Sequence, residues 1–385
     1  MAEKTEGKGE IMSKLPKFSR HTIYVGSPSE RTSCIVGDFN RDGVPEVVIA
    51  AREPQREIYW IGRTASGEWE HHLLDDTFDR VEAGGALADL DGDGDLDLVA
   101  GGDWKGNMIY WWECPDDPTQ SWTHREIFRM PKTQSHDQMI ADIDGDGRPE
   151  VYFWNQGSQT IFYALVPDDP RVSPWPHVYP IATGVHEEGL CFSDIDLDGR
   201  LELIAGLSWY RVPKSPDGKW ERHEFTRGYV SPKSVTADFD NDGRPEIVIS
   251  EGDASLNGRE YGRCVLFKCG SDPDAMWEPH VLHDRLLEPH SLQVADFDGD
   301  GHPDLFVGEM GLPNGNHPHP PAQRIFLSRG SKMEEHIIDK GVGTHEAKVI
   351  IIDGKVGIVG KPYRNLHSEA PRGPEVDGVH LWLPE

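Results

Sequence analysis

The sequence has little with which to crosslink itself, cross a membrane or hold nucleic acid. Its cysteines number five, with no C-x-x-C pair (Cys34, Cys114, Cys191, Cys264, Cys269), which argues for reduced thiols and against a disulfide framework. No apolar run approaches the roughly 18 residues of a membrane helix. The opening MAEKTEGKGEIMSK lacks the apolar core of a secretory signal, so a cytoplasmic location is expected, with extracellular residence left open. Lys and Arg number 38 against 67 Asp and Glu, and they form no stripe or run, so neither nucleic acid nor a membrane is an expected partner. A G-x-S-x-G elbow, a phosphate-cradling loop and a dinucleotide fingerprint are also missing.

What is present is one acidic loop in six copies, clearest in Asp142-Ile-Asp144-Gly-Asp146-Gly147-Arg-Pro-Glu150. Hard oxygen donors at positions 1, 3, 5 and 9, with Gly at 6 to permit a sharp turn, are the set that Ca²⁺ prefers. The candidate ligands are Asp38, Asn40, Asp42 and Glu46; Asp89, Asp91, Asp93 and Asp97; Asp142, Asp144, Asp146 and Glu150; Asp194, Asp196, Asp198 and Glu202; Asp238, Asp240, Asp242 and Glu246; and Asp296, Asp298, Asp300 and Asp304. Each loop is followed by a strand-like apolar run such as VVIAA or LIAGL, not by an amphipathic helix, which disfavours EF-hands. These loops account for much of the formal charge of −29, and bound cations would offset it.

A second marker recurs seven times, a short strand built around histidine: SRHTIY, EWEHHLL, SWTHREI, PWPHVYP, KWERHEF, MWEPHVL and KMEEHII. Between markers the order is constant: an inner strand, the Asp loop, a second strand, a variable loop and a third strand. Four short strands in each of seven repeats predict an all-β, seven-bladed β-propeller. It should occupy residues 20–385 as a single domain behind a loose tail at 1–19. The seventh Asp loop has shrunk to Asp353-Gly354-Lys355, where no metal is expected. That repeat also lacks a fourth strand, so the N-terminal strand at Tyr24 is expected to close the ring by pairing beside Leu381. The recurring Trp69, Trp122, Trp175, Trp220 and Trp277 are expected between blades, and the outer-strand histidines are assigned no chemistry.

The loop pattern D-x-D-x-D-G-x-x-D/E resembles the calcium-binding repeats of the FG-GAP or VCBS class, over about residues 20 to 385. Such repeats occur in seven-bladed propellers, including integrin heads and several carbohydrate-active enzymes. The regular spacing and the inner-strand histidines are most similar to the propeller of aldos-2-ulose dehydratase and to propeller polysaccharide lyases, among them rhamnose-glucuronate and ulvan lyases. The resemblance implies a carbohydrate substrate.

In a blade the Asp loops lie on one face, and the start of each inner strand faces the opposite mouth of the central channel. Four repeats place an imidazole there: His136, His186, His290 and His345. A buried imidazole without charged work is usually replaced by an apolar residue, so four in matched places mark a site. They are candidate bases or ligands of a divalent transition metal, with Tyr210, Arg211, Tyr363 and Arg364 as partners in proton transfer or charge neutralisation. Arg52, Arg80, Trp104, Lys105, Trp154, Asn155, Trp209, Lys233 and Lys361 are candidate substrate contacts, since Trp beside polar groups suits a sugar ring. Long loops at 251–261, 309–323 and 361–374 should wall the mouth.

Removal of a proton α to a uronate carboxylate or a keto group needs a near-neutral base and a cation to stabilise the enolate. The expected activity is therefore β-elimination, by a lyase or dehydratase, on a uronate-containing glycan or keto-sugar. Paired acids for glycoside hydrolysis among Glu187, Glu188, Glu309 and Glu346 remain open. So does a non-catalytic propeller that binds a glycan or a protein. Which sugar is used, whether the histidines hold a metal, and the oligomeric state are not written in the sequence.

Overall fold

The computed structural model describes residues 14–26, 30–53, 56–185, 187–215, 218–312, 318–363 and 378–385. Of the expected site residues, His186 and Arg364 lie outside this set, as does most of the loop after Lys361. Among the described residues there are 28 strands in seven four-stranded antiparallel sheets and only two short 3-10 turns. No helix among the described residues is long and apolar enough to cross a membrane.

The third sheet shows the plan. It runs from the inner strand Ser135–Ala141 through Glu150–Asn155 and Thr160–Leu165 to the outer strand Val178–Thr183. The second strand is buried along its whole length because both faces of the sheet are covered by neighbouring blades, which is why it reads as an unbroken apolar run. The outer strand is only half covered, and its sequence is correspondingly mixed. In the seventh sheet the outer strand is N-terminal: Phe18–Val25 pairs with Gly378–Pro384, with His21 opposite Leu381 and Tyr24 opposite Val379. The inner strand His345–Ile352 of that sheet lies against the inner strands of both the sixth and the first sheets.

Each Asp loop joins the first strand of a blade to the second. In all six the position-1 carboxylate accepts the amide of the position-6 glycine, as Asp142 Oδ2 does from Gly147 at 2.8 Å. These glycines have φ near +90°, where a side chain would be strained (Gly147, +90°). The position-9 carboxylate returns to accept the amide of position 2, as Glu202 does from Ile195 at 2.8 Å. In the seventh blade Asp353 and Gly354, at φ 52° and 73°, make a two-residue hairpin turn instead.

Seven apolar clusters lie between adjacent blades. The recurring tryptophans staple them, as expected. The Trp122 backbone amide donates to Leu74 O of the preceding blade at 3.0 Å, Trp175 to Ile127 O at 2.9 Å, and Trp277 to Phe225 O at 2.9 Å. Their indole N–H groups are satisfied by the carbonyls of Pro118, Pro170 and Pro273. Trp112 is fully buried between the first two blades and donates from Nε1 to Asp75 at 2.8 Å. Trp112→Ala should cost about 3–5 kcal/mol in urea unfolding. A loss below about 1 kcal/mol would mean that this contact between blades is not a stabilising one.

Candidate functional site

The inner strands do not begin as regular strands. Their pairing slips between Arg31 and Ser33 and, where expected site residues stand, between His136 and Gln138, between Pro289 and Ser291 around His290, and between His345 and Lys348. Asp137 and Glu346, the acids that follow His136 and His345, are held at φ 43° and 60°. A bulge re-aims side chains, and here it turns an imidazole and its acidic neighbour toward the axis.

At the centre is Lys233, on the strand Pro232–Ala237 and almost wholly buried. Its Nζ lies 3.3 Å from His136 Nδ1, 3.4 Å from Asp137, 3.3 Å from Glu188 and 3.4 Å from Glu346. Burial opposes the ammonium, but Asp137, Glu346 and Glu188 more than offset it and keep Lys233 charged. Burial likewise opposes the carboxylates. Lys233 and His136 hold Asp137 and Glu188 below the usual range, and Lys233 with Lys348 does so for Glu346.

The three described imidazoles stand in different environments. For His136 burial works against the charged ring, but Glu188 and Asp137 raise it to about 9. Its Nδ1 is 3.0 Å from Asp137 and its Nε2 is 3.8 Å from Glu188. His290 is lowered to about 4, by burial first and Lys233 second. His290 Nε2 is enclosed and has no hydrogen-bond partner among the described residues. His345 is pushed well below its ordinary value by burial and Lys361. Ring centroids of His136 and His290 are 6.4 Å apart, and His290 stacks on His345 at 4.4 Å and 23°.

These rings line a cavity of about 290 Å³ with Arg52, Glu82, Trp104, Glu188, Asp253, Leu256 and Tyr363. Trp104 and Leu256 are exposed at its rim. Arg52 is held by Glu30 at 3.0 Å and Glu82 at 2.8 Å, and donates to Tyr363 Oη at 2.7 Å. Burial raises Tyr363 to about 12, so its hydroxyl keeps its proton. Burial, then Glu188, raises Asp253. Arg80 and Lys105 meet on Glu53 at 2.7 and 3.2 Å, and the Lys105 ammonium lies 4.1 Å from the Trp104 ring centre. A second chamber, about 350 Å³, is lined by Asp137, Lys233, His290 and Glu346 together with apolar residues of the inner strands.

Several expected residues do not join the mouth. Trp154 is fully buried between blades and bonds Gly189 O, while Asn155 Nδ2 ties down the carbonyls of Lys132, Thr133 and Gln134. Trp209, Tyr210 and Arg211 belong to the third strand of their blade, Ser208–Arg211, which follows a turn directly after the short strand Glu202–Ala205. Trp209 stacks on His223, Tyr210 is core, and Arg211 reaches Asp196 in the fourth Asp loop at 2.8 Å, on the opposite face. Lys361 is enclosed behind His345 rather than facing the cavity, with Nζ 2.6 Å from Arg31 O, 3.1 Å from Thr32 O and 3.0 Å from His345 Nδ1. The acids Asp137, Glu188 and Glu346 belong to the cluster; Glu188 and Glu346 were expected only as members of a glycosidase acid pair, and Asp137 was not singled out. Their signal was the acid placed directly after His136 and His345 and, in the fourth repeat, Glu188 six residues before Asp194, where His136 stands before Asp142.

An FG-GAP-like repeat model matches residues 38–100 and 89–153, and an FG-GAP repeat model matches residues 289–317. No curated protein matches the chain. Among solved structures, BBS1N, solved in complex with ARL6DN, covers 97% of this chain and 98% of its own at 11% identity and a TM-score of 0.57. The PQQ domain of a pyranose dehydrogenase from Coprinopsis cinerea covers 98% of each chain at 10% identity and a TM-score of 0.51. A rhamnogalacturonan lyase covers 94% of this chain and 75% of its own at 13% identity and a TM-score of 0.49. At these identities the likeness is one of fold alone. The chain is a seven-bladed β-propeller that carries FG-GAP repeats.

Proposed function

We propose that the protein is a carbohydrate lyase or dehydratase that performs β-elimination at the channel mouth, on a uronate-containing glycan or a keto-sugar. The observation that supports this most is the pair His136 and His290. Two imidazoles with ring centroids 6.4 Å apart are driven to opposite protonation states, about 9 and about 4. Environments that push titratable groups apart in this way assign an acid and a base. In this reading His290 Nε2 takes the proton α to the carbonyl and the electron pair forms the double bond. The β C–O bond breaks, and the leaving oxygen receives a proton from imidazolium His136. Arg52 and Lys233 supply positive charge toward the enolate, and exposed Trp104 offers a face to the sugar ring.

The residues also suit a divalent cation. One donor atom from each of His136, Glu188 and His290 lies within 4.8 Å of the others, and His290 Nε2 has no partner. A metal held there would polarise the substrate oxygen. Lys233, 3.3 Å from Glu188, already supplies charge at that position. Metal analysis of wild type and of the His136→Ala, His290→Ala protein should separate the two. About one transition metal per chain, lost in the variant, supports the cation; calcium alone in both supports the metal-free pair.

For the Asp loops the proposal is structural Ca²⁺. Buried Oδ1 atoms of Asp38, Asp194 and Asp240 have no hydrogen-bond partner, as expected of ligands. Four position-3 carboxylates are met by a cation of the protein: Asp91 by Arg171, Asp196 by Arg211, Asp240 by Lys268 and Asp298 by Arg329. Chelation with EDTA should lower the melting temperature. An unchanged transition would mean that these internal cations suffice.

Turnover should appear as ultraviolet absorbance from an unsaturated sugar when uronate glycans and keto-sugars are screened. His290→Ala or His136→Ala should reduce it at least about 100-fold. Retained turnover in both would remove the reading, and glycan binding without turnover would favour a binding propeller. The kcat/KM profile should rise as His290 deprotonates through about 4 and fall as His136 loses its proton through about 9. A single limb near the ordinary histidine value of 6.5 would contradict the assignment.

A further inference from the structure

His345 is the third imidazole of the mouth and has no role in the pair just described. Its surroundings are nevertheless specific. Lys361 Nζ has three neighbours at hydrogen-bond distance: Arg31 O at 2.6 Å, Thr32 O at 3.1 Å and His345 Nδ1 at 3.0 Å. An ammonium carries three N–H groups, and the two carbonyls can only accept. If all three are used, the third donates to His345 Nδ1, which must then be the unprotonated nitrogen. The remaining proton of the neutral ring is on Nε2, for which no protein partner is found among the described residues, while the ring lines the cavity.

The facing ring is set the other way. His290 Nδ1 lies 3.2 Å from Gly252 O, which can only accept, so Nδ1 carries the proton and Nε2 the lone pair. Gly252 allows this contact, since a Cβ there would stand 2.9 Å from His290 Nδ1. The two rings lie face to face, at 4.4 Å and 23°, with Tyr363 beyond His345 at 5.0 Å.

We propose that Lys361 and the Gly252 carbonyl fix the stacked rings of His345 and His290 as opposite neutral tautomers. His345 Nε2–H is thereby a proton donor and His290 Nε2 a proton acceptor, with Lys361 as a positioning residue behind them. The tautomers stand on the hydrogen bonds alone, whereas their use in elimination rests on the function proposed above. The charge of Lys361 matters, because an uncharged amine could accept from His345 Nδ1–H instead. Burial lowers Lys361 to about 7, so pH 6 holds the ammonium while His290 and His345 stay neutral.

The test is long-range proton–nitrogen NMR at pH 6 on the full chain labelled with ¹⁵N-histidine, the two rings being assigned from His290→Gln and His345→Gln. The expected result is Nε2–H at His345 and Nδ1–H at His290. Lys361→Gln, which keeps an N–H donor, should preserve the His345 tautomer, and Lys361→Met should release it. The wild-type spectrum decides even if the methionine variant does not fold: His345 as Nδ1–H, or both rings in the same tautomer, overturns the proposal whatever the turnover. Opposite tautomers in a protein without turnover would support this assignment while removing the catalytic reading.

Discussion

Seven inner strands meeting on one axis bring their first residues into a space too dry to leave a charge alone. The desolvation of an ion there costs several kcal/mol, and only close, well-directed partners offset it. Lys233 meets that condition with Asp137, Glu188 and Glu346 around one ammonium, drawn from four different blades. The same field separates the histidines. His136 beside two carboxylates is held charged, while burial first, and then Lys233 for His290 and Lys361 for His345, hold the other two neutral. Three identical side chains thus become chemically different through position alone.

The two faces of the molecule divide the acidic residues by purpose. On one, the Asp loops turn six blades, and their carboxylates are spent on backbone amides and on cations of the protein. On the other, strand-start bulges turn side chains to the axis. The two sets are kept apart by the length of a strand. One residue of reading frame or one short turn decides which end a side chain serves, as Arg211 shows by ending on Asp196.

Much of this was legible in the chain. The loop repeat, the histidine strands and the unbroken apolar second strands announced seven sheets because backbone turns and sheet burial obey local rules. The tryptophans before the outer strands could be placed between blades on the same ground. His136 and His290 could be singled out because each stands six residues before the first Asp of its loop, and His345 because it holds the equivalent place once the shortened seventh loop is allowed for. Trp154, Trp209 and Tyr210 were misplaced since an aromatic side chain suits a sugar face and a blade interface equally well, and the sequence does not distinguish them.

By itself, then, the sequence determined the repeat, the strand order and which residues begin the inner strands, all of which follow from spacing within about 50 residues. Only the tertiary structure decided that Lys233 neutralises acids from three other blades, that Lys361 stands behind His345 and that His290 faces it. In the same place Lys361 also reaches Arg31, 330 positions away. Electrostatic interaction depends on distance and burial in space, which strand spacing along the chain does not encode.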